Sequence, residues 1–186
     1  MGKTILKDIS TRAPKELDKK ETKEKLQQIL VELDELQNLL FAEGKHSVLV
    51  VIQGMDGSGK DGVIRNVFGQ MNPQGVTVKS FKVPTPEEYA HDFLWRVHQH
   101  TPGKGMIQLF NRSHYEEILV TRVHKWCNDD LAKKKMKAIN DFEELLQVHN
   151  STHILKFYLH ISPEEQHSRL AERMKDPENE LKLVIV

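Results

Sequence analysis

The chain has one cysteine, Cys127, among 186 residues. A lone thiol excludes an internal disulfide framework and a four-thiolate zinc site, and it fits a reducing compartment. An excess of one charge is also missing, since 27 Lys and Arg balance 27 Asp and Glu. That balance argues against a generally basic nucleic-acid binder and leaves room for a local anion site. No uninterrupted apolar run approaches the ~20 residues needed to span a bilayer, and the N-terminus shows no apolar signal core or small-residue cleavage site. Leu6 stands where a myristoylation pattern requires Ser or Thr. The ten histidines repeat no metal box such as H-E-x-x-H, and the sequence has no internal repeat. The expected address is the cytoplasm, with neither a membrane nor nucleic acid as partner.

A hydrophobic content of 38% and a charged content of 29% are ordinary for a globular domain, and the length suffices for one sizeable core. From about Pro14 to Gly44, Leu26, Ile29, Leu30, Leu33, Leu36 and Leu40 recur every three or four residues, which predicts an amphipathic helix stopped by Gly44. Its apolar stripe serves either to pack on the following sheet or to meet a partner. Residues 1–44 therefore read as an N-terminal extension and helix, and 45–186 as the core.

The run Ser47 to Gln53, SVLVVIQ, is continuously apolar, as in a parallel strand covered on both faces. Further strands are expected at 76–82, 106–110 and 154–161, with helical patterns between them, so the fold class is a doubly wound α/β sheet. Between Asp129 and His149, residues Leu131, Met136, Ile139, Phe142, Leu146 and His149 share one helical face. The adjacent lysines read as a solvated face. Ser162-Pro163-Glu164-Glu165 supplies a capping serine, a first-turn proline and a glutamate three residues after the cap, which starts another helix.

Directly after the first strand comes Gly54-Met55-Asp56-Gly57-Ser58-Gly59-Lys60-Asp61, followed by a helical pattern from Gly62 to Met71. The spacing of Gly54, Gly59 and Lys60 is that of a phosphate-binding loop, G-x-x-x-x-G-K. Its glycines let backbone N–H groups wrap an anion at a helix N-terminus, and Lys60 reaches the phosphoryl oxygens. Asp61 replaces the Ser or Thr that normally gives a hydroxyl to Mg²⁺. A carboxylate within such a loop repels bound phosphates unless a divalent cation intervenes, which makes Asp56 the candidate metal ligand. Asp61 is either a second carboxylate there or a residue favoured by the helix dipole.

The third apolar run ends in Asn111-Arg112-Ser113-His114-Tyr115-Glu116-Glu117, at the carboxyl end of a strand, where open α/β sheets bind ligands. Phosphoryl transfer needs Lys, Arg and Mg²⁺ around the moving group, and Arg112 fits that clamp. Glu116 or Glu117 either holds metal, orients Arg112, or occupies an exposed first turn. His114 draws notice through its place in this turn, and Arg122 has a weaker claim. In the helix from Pro163, Arg169 and Arg173 lie four residues apart on one face, fit either to close over phosphates or to pair with surface acids such as Glu165.

Four blocks, GMDGSGKDGVIR at 54–65, MNPQGVTVKSFKVPT at 71–85, HDFLWRVHQHTPGKG at 91–105 and FNRSHYEEILVTRVH at 110–124, together resemble the polyphosphate kinase 2 family. The likeness runs over about 24–178, and its GKDG and NPQG wording looks most like the subgroup acting on both AMP and ADP. It implies a P-loop kinase with a thymidylate-kinase-like, three-layer α/β/α core. Polyphosphate would take the donor place, an adenine nucleotide would accept, and Mg²⁺ would lie between them.

Carried over by position, the likeness makes Asp56, Lys60, Arg112 and Glu116 catalytic. It also matches Arg122, Arg169 and Arg173 to basic positions near the polyanion and lid, which join Gly54, Gly57, Ser58, Gly59, Lys60, Asp61 and Arg65 of the loop and its helix in the expected phosphate-binding set. After Glu178 the family's lid would continue with a Lys, a Trp and another Lys, whereas this chain has Asn179, Leu181 and Lys182 before Val186. Part of the lid and the last strand are therefore expected to be missing, which would expose apolar surface and favour homo-oligomers.

Overall fold

The computed structural model describes residues 5–175; the expectations for Asn179, Leu181, Lys182 and Val186 lie outside the described residues. Helix α1 (Lys19–Glu43) begins where Asp18 accepts hydrogen bonds from Lys20 and Glu21 N–H groups, and ends at Gly44 in a left-handed conformation (φ 61°). The remaining elements alternate: β1 (Ser47–Gly54), α2 (Lys60–Val67), β2 (Val76–Ser80), α3 (Pro86–Ala90), α4 (Trp95–His98), β3 (Ile107–Asn111), α5 (Glu116–Val123), α6 (Asp129–Asn150), β4 (Thr152–Leu159) and α7 (Pro163–Lys175).

The four described strands form one sheet in the order β2-β3-β1-β4, every pair parallel. β1 is central, which explains its continuous apolar run: Leu49, Val50, Val51 and Ile52 are each at most 2% exposed. Leu49 and Val51 meet Phe81, Val97, Phe110, Phe142 and Leu146 on one face. Val50 and Ile52 meet Met71, Ile107 and Leu109 on the other, under Leu33 and Leu40 of α1. The result is a three-layer α/β/α fold, as expected. Burial of this kind is worth roughly 1.5–3 kcal/mol per large apolar side chain.

The stripe of α1 is used only in part. Leu30 is buried and Leu33 and Leu40 pack against the core under the sheet, but Leu26, Ile29 and Leu36 stay exposed. Strand β4 pairs with β1 on one side and leaves Leu155, Phe157 and Tyr158 about half exposed. An apolar cavity of about 390 Å³ opens between Leu36, Leu40, Val50, Phe68, Leu155 and Phe157.

Several boundaries differ from the sequence expectations. Helix α2 starts at Lys60 rather than Gly62, because Gly59 (φ 94°) turns the chain into the helix earlier, and it gives way to a 3-10 turn at Phe68–Gln70. Strand β4 begins two residues early and stops at Leu159. On α6 the buried residues are Ala132, Ile139, Phe142, Glu143 and Leu146, while Leu131, Met136 and His149 are exposed. The helix is rotated so that Ala132 fits against α5 and a carboxylate enters the interior.

Candidate functional site

Strand β1 delivers the chain into the glycine loop, and the loop's backbone conforms to its glycines. Gly57 and Gly59 have positive φ, 77° and 94°. At Gly54 the constraint is space: a Cβ would lie 2.6 Å from Ser58 Oγ and 2.9 Å from the Leu159 carbonyl oxygen. Lys60, only 9% exposed, folds back so that Nζ donates to the carbonyls of Gly54 (2.8 Å) and Met55 (3.1 Å). It is thereby held against the start of the glycine loop. Buried Ser58 Oγ has no hydrogen-bond partner.

The second wall comes from β3. Arg112 follows its last residue with φ 62°, and its N–H donates to the Ile52 carbonyl (3.1 Å), which ties the turn to β1. Lys60 feels this wall directly. Burial lowers its pKa below the usual 10.5, the Arg112 charge lowers it further, and the charges of Asp56, Glu116 and Asp61 oppose them. Lys60 thus feels one guanidinium and three carboxylates carried by the loop, α2 and the segment after β3.

The two adjacent glutamates separate. Glu117 is held by Lys135 Nζ at 2.7 Å on the far side of α5, whereas Glu116 Oε1 accepts from the Gln53 amide at 2.9 Å. Gln53 also accepts from Ser113 N–H and Oγ–H at 3.1 and 2.7 Å. Asp61 Oδ1 accepts from Asn111 Nδ2 at 2.6 Å, linking α2 to β3. Gln53 and Asn111 were not singled out from sequence. Their only available signal was a polar residue at the carboxyl end of a strand.

Helix α7 lies over the loop, so that a Cβ at Gly57 would sit 3.7 Å from Leu170. Arg169 makes the Glu165 pair that the sequence offered and also reaches the loop backbone. Its Nε pairs with Glu165 Oε1 (2.7 Å), and its Nη1 donates to the carbonyls of Gly57 (3.2 Å) and Ser58 (3.3 Å). Arg173 Nη1 approaches Asp56 Oδ1, and Gln166 Nε2 donates to the Asp56 carbonyl at 2.9 Å. Arg122 stands apart, paired with Asp129 at 2.7 Å at the other end of α5. Arg65 is exposed on α2.

His114 is buried and faces away from the loop. Its Nε2 meets Glu143 Oε1 at 3.2 Å, and Tyr115 donates its hydroxyl to the same oxygen at 2.7 Å. Lys156 completes the cluster, donating to the Tyr115 oxygen at 3.0 Å and to Glu143 Oε2. Burial disfavours the Glu143 anion, yet the hydrogen bonds from His114, Lys156 and Tyr115 outweigh it and lower the pKa from 4.5 to about 2.

The donors near the loop suit Mg²⁺. Asp56, Asp61 and Glu116 are hard oxygen ligands, and Ser58 Oγ and Asn111 Oδ1 are buried without partners. Among the described residues no three His, Cys, Asp or Glu form a cage by themselves. Mg²⁺ needs none, since it binds through one or two carboxylates together with substrate phosphates and water.

A family model described as Polyphosphate kinase 2 matches residues 16–185. The AMP/ADP-polyphosphate phosphotransferase of Meiothermus ruber is 53% identical over 150 residues, covering 81% of this chain and 56% of the relative. The ADP-polyphosphate phosphotransferase of Rhodopseudomonas palustris is 43% identical, with the same coverages. The crystal structure of Polyphosphate Kinase 2 from Arthrobacter aurescens superimposes with a TM-score of 0.91 at 39% identity, over 96% of this chain and 65% of that one. The chain spans about half the length of the curated relatives it matches.

Proposed function

The chain belongs to the polyphosphate kinase 2 family, and from that premise we propose that it transfers a phosphoryl group between inorganic polyphosphate and an adenine nucleotide, ADP or AMP. The observation that carries this reading is the strand-to-helix glycine loop, with Lys60 Nζ folded back on the Gly54 and Met55 carbonyls and the Arg112 turn tied to the neighbouring strand at Ile52. A terminal oxygen of the nucleotide attacks the last phosphorus of polyphosphate in line. The bridging P–O bond breaks, and its electron pair leaves on the shortened chain.

Lys60 and Arg112 stabilise the charge spread over the transferring oxygens, each such contact being worth roughly 3 kcal/mol of barrier. Asp56, with Asp61 or Glu116, would hold Mg²⁺, which would supply charge neutralisation for the phosphates. The loop amides and the buried Ser58 hydroxyl orient the donor. Arg169 and Arg173 already reach the loop from α7 and have only to exchange carbonyl and carboxylate partners for phosphate.

Two further elements belong to the proposal. Self-association is supported by the half-exposed Leu155, Phe157 and Tyr158 on β4. A cytoplasmic location is supported by the lone buried cysteine. Among the described residues no helix is long and apolar enough to cross a membrane.

The test is to incubate the purified chain with Mg²⁺, polyphosphate and ADP or AMP and to measure ATP formed, with ATP plus AMP as comparison. Nucleotide phosphorylation that requires polyphosphate supports the reading. Transfer only from ATP would instead make the protein a nucleoside monophosphate kinase, and binding without turnover a silent phosphate-binding domain.

A further inference from the structure

Arg112 has a left-handed backbone, φ 62°, which crowds a residue bearing a Cβ. Such a conformation persists where its surroundings over-determine it. The N–H of Arg112 is anchored to Ile52, and Ser113 is held by Gln53. The next two residues, His114 and Tyr115, both end on one carboxylate, Glu143 of α6.

Glu143 touches nothing in the glycine loop, yet it is an acid with its side chain only 7% exposed. A buried ion pair is poor value for stability alone, because an apolar residue of similar volume fills the same space without desolvating a charge. What an apolar residue cannot do is accept from three donors on two segments: the turn before α5, through His114 and Tyr115, and β4, through Lys156. An ionised Glu143 only accepts, so His114 Nε2 carries its proton. The ring is fixed further by Phe110 and Phe142, both edge-on to it.

We propose that Glu143 is a positioning residue for phosphoryl transfer: it anchors His114 and Tyr115 to α6 and β4, and so holds the strained turn that presents Arg112 and Glu116 to the loop. The role assigned to Arg112 rests on the function proposed above.

The experiment compares the full chain with Glu143→Gln, Arg112→Ala and the double variant. Glu143→Gln keeps the size of the side chain, and it is expected to lower kcat ten- to a hundredfold with the KM for polyphosphate within threefold of wild type. The double variant should be no slower than Arg112→Ala alone, because both changes remove the same contribution. Amide exchange at Arg112 should quicken at least tenfold in Glu143→Gln while the β1 amides keep their protection.

Wild-type kcat with unchanged exchange in Glu143→Gln overturns the proposal, as does a further tenfold loss in the double variant. Should Glu143→Gln fail to fold, Tyr115→Phe removes a single donor. It should slow turnover several-fold with faster exchange at Arg112, and wild-type values there overturn the proposal. If Lys60→Ala turns over as fast as wild type, or the wild type does not turn over at all, the functional reading fails. Exchange at Arg112 still decides the positioning role.

Discussion

Arg173 Nη1 lies 3.6 Å from Asp56 Oδ1, so α7 sets a cation against the carboxylate best placed to take Mg²⁺. Both side chains are substantially exposed, 40% and 62%, which limits the pair to about 1 kcal/mol at most. In the proposed site, metal and arginine would compete for one carboxylate. Arg173→Ala should therefore tighten Mg²⁺ binding in the absence of polyphosphate by up to about fivefold, and Asp56→Asn should weaken it. Calorimetric Mg²⁺ titrations of both variants check this, and an Asp56→Asn chain with undiminished affinity and magnesium-dependent turnover would remove Asp56 from the metal site.

Lys60→Ala should cut the rate of transfer by about 10²–10³-fold, the usual loss when one preorganised charge donor is removed. Initial rates of ATP formation measure it. A second signature follows from the depressed pKa of Lys60, which burial and then Arg112 lower from 10.5. A bound polyanion favours the ammonium, so binding should take up protons as the pH approaches 10.5 from below. Calorimetry in two buffers of different ionisation enthalpy detects the uptake, and Lys60→Met should lack it.

Arg112→Gly and Arg112→Ala both delete the guanidinium and should both slow turnover by about 10²-fold. They should differ in stability, because only glycine accepts φ 62° without crowding. The glycine variant should exceed the alanine variant by about 1 kcal/mol, or roughly 2–4 °C in Tm for a domain of this size. Equal melting temperatures would mean that the turn carries no strain.

The pKa of Glu143 falls from 4.5 to about 2 on folding. A depressed carboxylate stabilises the folded state above its unfolded pKa, and that stabilisation is lost as the pH falls from 4.5 towards 2. The full effect is about 3 kcal/mol. Urea unfolding from pH 7 down to pH 2.5 should show Glu143→Gln less stable at neutrality, with the gap narrowing below pH 4.5. A gap independent of pH would contradict the ionised, hydrogen-bonded state.

Leu155 and Phe157 are 48% and 51% exposed on β4, beside the apolar cavity under α1. Phe157→Lys should lower self-association, seen as a smaller mass in light scattering at concentrations where the wild-type chain associates. An unchanged mass would place the contact elsewhere.

Much of the site could be read from the chain because it is built from consecutive residues. The glycines at 54, 57 and 59 and the lysine at 60 are one strand-to-helix turn, and their spacing carries its own conformational meaning. The apolar run at 47–53 likewise announced a central parallel strand, since only coverage on both faces tolerates it. The capping serine before α7 was equally local, and its hydroxyl accepts from the Glu165 N–H at 3.2 Å.

Other assignments depended on which groups the folded chain brings within a few ångströms. Glu116 and Glu117 are neighbours of the same chemistry, and the rotation of α5 against α6 sends one to Gln53 and the other to Lys135. Gln53 meets Ser113 across 60 residues, and Gln166 meets Asp56 across 110. Glu143 looked like one more acid on an amphipathic helix until packing placed it against His114, Tyr115 and Lys156. Periodicity and glycine spacing report torsional preference along the backbone. Hydrogen bonds and desolvation depend on distances through space, which arise when the layers close on each other.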